Sequence, residues 1–163
     1  STYLLAANMA GYLAAKKLVF QEPMRRVKHS QSIGGKLVVI SGSTTQSVSA
    51  FMRYANVHPA NMLGTDVDTS GDCVGSVTSL PALDKLTALK SLLTEDEFVS
   101  LEAMGDGPSD MAVLAAANRA TLVSPTYKSQ PAEDLPPRCG VLSVEDDLTG
   151  FKQVVEALIR PAA

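Results

Sequence analysis

Asp106 and Asp110 lie in the run Gly105-Asp106-Gly107-Pro108-Ser109-Asp110, and they are the side chains best placed for chemistry. An apolar, strand-like stretch precedes the run (Phe98, Val99, Leu101, Ala103, Met104), and an alanine-rich helical stretch from Met111 to Ala120 follows it. Both carboxylates therefore fall where a strand ends and a helix begins, with glycines letting the backbone turn. Open α/β sheets hold their ligands at that edge. Carboxylate oxygens suit a hard cation such as Mg²⁺, which takes one or two of them and completes its shell with water and phosphate. Asp110 also has a plainer explanation, because the first turn of a helix favours a carboxylate with or without metal. Asp106, at the strand end, has no such explanation.

Two further groups belong to the same edge. Ser41-Gly42-Ser43 follows the apolar run Lys36 to Ile40 and leads into a helix. A hydroxyl at Ser41 beside Gly42, backed by free helix amides, makes a cradle for a phosphate oxygen. An ordinary N-cap would use the same residue types. Lys85 opens a leucine-rich helix (Leu86, Leu89, Leu92, Leu93), where an ammonium would neutralise phosphate and steady an oxyanion. Lys90 competes for that role from deeper in the helix, and a solvated surface lysine is the commoner fate of the residue type.

The elements that must position these groups alternate between helix and strand. A helix is expected over Pro23 to Ser32, with proline in its first turn and Gly34-Gly35 ending it. Lys36 to Ile40 reads as a strand buried on both faces, followed by a helix from Thr45 to Asn56. Asn61 to Thr78, with Gly64, Gly71 and Gly75, reads as an irregular hairpin, and Pro81 to Leu93 as a helix. Ala120 to Val123 is a strand closed by Ser124-Pro125, and Ser129 to Arg138 a proline-rich loop. Gly140 to Val144 is a last strand and Leu148 to Ile159 a last helix. Such alternation implies right-handed crossovers and a mostly parallel, Rossmann-like α/β sheet flanked by helices. Glu95, Asp96 and Glu97 read as a solvated acidic turn, as do Glu145, Asp146 and Asp147.

With 163 residues, 45% of them hydrophobic, the chain can build one proper core. Cys73 and Cys139 are far apart and lack histidines at ligand spacing, so neither a zinc site nor a disulfide framework is indicated. A net charge of −3 gives no reason to expect nucleic acid as a partner. The charge is uneven: residues 1–30 carry Lys16, Lys17, Arg25, Arg26 and Lys28 against Glu22 alone. Tyr3 to Ala15 is apolar, with small residues throughout, and too short for a comfortable membrane span. We divide the chain into this segment, 1–22, and an α/β domain, 23–163. The segment has three readings: a buried helix, a surface docking on another subunit, or a remnant of an organellar targeting sequence, which is typically basic and acid-poor. Docking of residues 1–20 on a protein partner, with a membrane-adjacent position left open, is the expectation carried forward. No transmembrane span is expected, and the compartment is expected to be intracellular, with a mitochondrial or other organellar matrix as an option.

The order of these motifs, from strand-Ser41-Gly-Ser through the hairpin and Lys85 to Gly-Asp106-Gly-Pro-Ser-Asp110, resembles the haloacid dehalogenase (HAD) superfamily in its phosphoserine-phosphatase-like branch. The match covers roughly residues 33 to 127. The resemblance implies a HAD-like core without a full cap domain. It makes Ser41 the second-motif hydroxyl and Lys85 the third-motif lysine, with Asp106 and Asp110 as the fourth-motif acids that bind Mg²⁺. The chain departs from the family at the first motif, a strand ending in Asp-x-Asp whose first aspartate attacks phosphorus. Residues 1–65 contain no aspartate. The one strand-like candidate, Lys17-Leu18-Val19-Phe20, would put Gln21 at the nucleophile position and Pro23 at the acid/base position. An amide cannot form an acyl-phosphate, and covalent transfer requires that nucleophile.

Two functions follow as expectations. The first is a catalytically degenerate HAD-like domain, a structural or accessory subunit of a larger assembly. The second is a Mg²⁺-dependent phosphomonoesterase whose nucleophile strand comes from another chain or an upstream segment. Other catalytic schemes lack their residues: His29 and His58 belong to no Ser/His/Asp arrangement, and there is no Gly-x-Ser-x-Gly, Walker loop or dinucleotide glycine motif.

Overall fold

The computed structural model describes residues 2–17, 19–69, 75–79, 85–125 and 135–144. The expectations for Gly71, Cys73, the start of the Pro81 helix, most of the proline-rich loop, the acidic run at Glu145 and the Leu148 helix fall outside them. Helix α1 spans Thr2–Lys17 and α2 spans Gln21–Ser32. Strand β1 (Val38–Thr44) leads into α3 (Thr45–Ala55), followed by β2 (Asn61–Val67) and the short β3 (Val77–Thr78). Helices α4 (Lys85–Leu92) and α5 (Glu95–Val99) precede β4 (Glu102–Gly105). A 3₁₀ turn (Pro108–Asp110), α6 (Met111–Ala116), β5 (Arg119–Pro125) and β6 (Cys139–Val144) complete the order.

The fold is mixed α/β, but its strands form two sheets where the sequence suggested one. The first has the order β1-β2-β3, with β1 and β2 parallel and β3 antiparallel. The second is parallel throughout in the order β4-β5-β6. Alternation in β5 assigns its faces: Ala120 and Leu122 join Ala103, Leu114 and Ala117 in a buried cluster under α6. Leu114 is 1% exposed at its centre. Thr121 lies on the opposite face, where the Arg26 guanidinium of α2 donates to its hydroxyl at 3.4 Å. Lys36, just ahead of β1, donates to the Leu92 carbonyl at the end of α4 at 3.3 Å and pairs with Glu97 of α5 at 3.1 Å.

Several boundaries moved for identifiable reasons. Phe98 and Val99, expected in a strand, belong to α5. Thr94 and Glu97 form a capping box there, the Thr94 hydroxyl accepting from the Glu97 amide and the Glu97 carboxylate accepting from the Thr94 amide. The acidic run Glu95–Glu97 is thus a helix start, with the Thr94 amide and then Lys36 holding the Glu97 carboxyl below its usual range. The expected Met111–Ala120 helix stops at Ala116, because Ala120 pairs with Ala103 and Cys139 in the sheet. Lys17 ends α1 and Gln21 starts α2, so the described part of Lys17 to Phe20 is no strand. Gly34, at φ 85°, ends α2 as expected, and the Gly35 amide donates back to the Ser30 carbonyl at 2.8 Å. Glu22 at the start of α2 is held at about 2 by hydrogen bonds from Arg25 and then Arg26.

Candidate functional site

The carboxyl end of β4 is built around one buried cation. The Lys85 ammonium donates to Asp110 Oδ1 at 2.8 Å and to Ser109 Oγ at 3.1 Å. Lys85 is only 7% exposed, a position that lysine takes almost exclusively when paired. Asp110 Oδ2 accepts from the amides of Asp106 at 3.0 Å and Gly107 at 3.3 Å, so the carboxylate clamps its own turn. Gly105 makes this closure possible: a Cβ there would stand 2.7 Å from Asp110 Cγ and 2.8 Å from its Oδ2. Gly105 thus serves a close approach of the backbone to Asp110 itself. Gly107 is extended at φ −159°, and a Cβ on it would meet nothing within 4 Å.

The structure therefore brings together Lys85, Asp110 and the Asp106 backbone, and adds Ser109, whose role the sequence reading missed. The signal was its position one residue before Asp110, but a serine in a turn has too many ordinary uses to stand out. Lys90 is elsewhere, with its ammonium 5.9 Å from the centre of the Phe98 ring.

Ser41 and Gly42 lie at the matching end of β1. Ile40 pairs with Leu63 and Thr44 with Thr65, so three residues of β1 face one of β2 and the segment bulges off the ladder. Gly64 accepts the bulge; a Cβ there would come within 2.9 Å of the Ser43 carbonyl oxygen. The Ser41 hydroxyl accepts from the Ser43 amide at 3.1 Å, and the Gly42 carbonyl accepts from the Thr65 hydroxyl at 2.8 Å. Ser41 is no N-cap: that position belongs to Thr44, whose side chain caps nothing. Among the described residues, no hydrogen bond links Ser41 or Gly42 to the Lys85–Asp110 pair.

The donor set is compatible with Mg²⁺ only in part. Asp106 is exposed, whereas Asp110 already takes three donors at its two oxygens. A cation would have to share Asp110 with Lys85 and draw the rest of its shell from water and phosphate. Among the described residues, no group of three or more His, Cys, Asp or Glu could hold a metal by itself. A groove of about 390 Å³ lies at the amino ends of β5 and β6, lined by Phe98, Asn118, Pro136 and Arg138. It belongs to the other end of the strands and contributes nothing to this corner. In comparisons with known proteins, no family model matches the chain, and no curated protein matches it.

Proposed function

We propose that the chain is a HAD-like domain that keeps the phosphate-facing corner of such a fold, with Lys85, Asp106 and Asp110, but does not transfer phosphoryl groups by itself. It serves as an accessory unit of a larger assembly. The supporting observation is the buried Lys85, locked to Ser109 and Asp110 at the end of a parallel strand. In that corner Lys85 supplies positive charge for a phosphate, the Asp110 carboxylate fixes its ammonium, and Asp106 presents oxygens at the exposed rim. Asp106 would be the residue to hold Mg²⁺ at this rim, and the ion would supply charge neutralisation for a phosphate. The described residues put no carboxylate at the end of a strand ahead of β1 that could attack phosphorus.

The α1 helix supports the accessory role. It packs on α3 through Ala7 and Gly11, where a Cβ on Gly11 would stand 2.6 Å from the Phe51 amide nitrogen. Its outer face leaves Leu5, Met9 and Tyr12 exposed, suited to a protein partner. No helix among the described residues is long and apolar enough to cross a membrane.

A second reading, a Mg²⁺-dependent phosphomonoesterase completed by a strand from elsewhere, is favoured by one observation. Neither β1 nor β4 has a strand partner on its outer side among the described residues. Assay of the 163-residue chain with p-nitrophenyl phosphate and Mg²⁺ separates the two. The accessory reading expects no turnover; turnover abolished by Asp106→Asn would overturn it.

A further inference from the structure

Helix α2 carries an apolar stripe that stays partly uncovered among the described residues. Its apolar side chains are Pro23, Met24 and Val27, at the i, i+3 and i+4 spacing that makes neighbours on one helix face, and no residue of α2 is buried. Opposite them stand Val19 and Phe20 of the α1–α2 linker and Phe51 of α3, and the six enclose a pocket of about 180 Å³. All six are half-buried, so the pocket is open to solvent, and none of them is polar. An apolar cavity of about 150 Å³ takes up one benzene molecule. This pocket therefore has room for a single aromatic ring or leucine side chain.

Its surroundings are basic. Residues 1–60 carry seven Lys and Arg against Glu22 alone, whereas residues 61–163 carry seven against sixteen Asp and Glu. Glu22 is already taken by the Arg25 and Arg26 guanidinium groups, which donate to it at 2.7 to 3.0 Å. Lys28 is exposed, stands one turn on from Met24, and enters no ion pair among the described residues. An acidic ligand is the complementary one, drawn in by the field of this face. The shape of the pocket decides the class of ligand. Hot spots of protein interfaces are pockets of this kind, filled by one apolar anchor and ringed by polar contacts. A flat lipid surface would leave a ring-sized hole unfilled. The lining also discriminates among anchors, because a tyrosine hydroxyl or a charged end would lose its water there and find no partner.

We propose that this pocket receives a protein partner through a short acidic segment. The segment inserts one phenylalanine or leucine side chain between Met24, Val27 and Phe51, while its carboxylates meet Lys28 and the neighbouring bases of α2. The unbranched Met24 side chain adapts the wall to whichever anchor enters. The inference rests on the accessory reading, whose partner it characterises, but it uses a surface separate from the Lys85–Asp110 corner.

The test is selection of a random peptide library, displayed on phage, against the 163-residue chain, followed by titration of the enriched peptide in synthetic form. Enriched peptides should carry a phenylalanine or leucine flanked by aspartate or glutamate, and should shift the Met24 methyl and Phe51 ring resonances. Binding should weaken as salt rises. It should fall about fivefold in Lys28→Glu and be lost in Val27→Glu; the exposed Lys28 position keeps the test valid where Val27→Glu disturbs the fold. No enrichment, enrichment of basic or anchor-free peptides, or shifts that map elsewhere overturns the proposal. So does binding to phosphatidylserine vesicles in place of peptides, which would assign the face to a membrane. Self-association that disappears in Lys28→Glu would assign it to a second copy and overturns the proposal equally. Peptide binding by a chain that also turns over p-nitrophenyl phosphate would keep this inference and remove the accessory reading.

Discussion

The Asp110 carboxylate holds the corner together at the residue scale, with Lys85 on one oxygen and two amides on the other. Lys85→Met leaves a largely buried carboxylate without its cation. We expect a loss of about 3 kcal/mol in urea unfolding, the low end for a broken buried pair because the two amides remain. A loss under about 1 kcal/mol would mean that the pair behaves as a solvated one. Gly105→Ala drives a methyl group into the Asp110 side chain and should cost about 1–3 kcal/mol, as overpacking does. Gly107→Ala, with open space around its Cβ and an extended backbone, serves as the control and should change stability by under about 0.5 kcal/mol.

At the scale of elements, α5 shows how local chemistry overrides pattern. Thr94→Ala removes the cap and should cost about 1 kcal/mol in chemical denaturation. Acid should act on two helix starts. Glu97 and Glu22 both titrate below the usual carboxylate range in the folded chain, so their contributions are complete above that range and fade as pH falls. For Glu22 the fading runs from about 4.5 down to about 2, and Glu22→Gln should flatten the fall in urea midpoint across that window. Strands β1, β5 and β6 were legible from uninterrupted runs such as Val38-Val39-Ile40 and Thr121-Leu122-Val123. Burial on both faces, expected for the Lys36 to Ile40 strand, holds only for the middle of β5, because β1 has no buried residue and most of β6 is not buried. The helical Phe98 and Val99 were not legible, because a short apolar run says nothing about period and the capping box at Thr94 decides it. Asp106, Asp110 and Lys85 could be placed at one edge by spacing, whereas the inward fold of Asp110 over Gly105 and the partner role of Ser109 depend on tertiary approach. The bulge at Ser41 was hidden for the same reason: register is a property of two strands.

For the whole molecule, the two sheets, the apolar outer face of α1 and the fixed Lys85–Asp110 corner are the features on which the proposed accessory role rests. In that role the corner would receive phosphate without turning it over. The most direct measurement is an amide-resolved NMR titration of the 163-residue chain with inorganic phosphate in the presence of Mg²⁺. Saturable shifts confined to Asp106, Gly107, Ser109 and the start of α4 are expected, and they should be lost in Lys85→Met. Shifts that map to the Phe98–Arg138 groove, or a corner that does not respond at any phosphate concentration, would contradict that role.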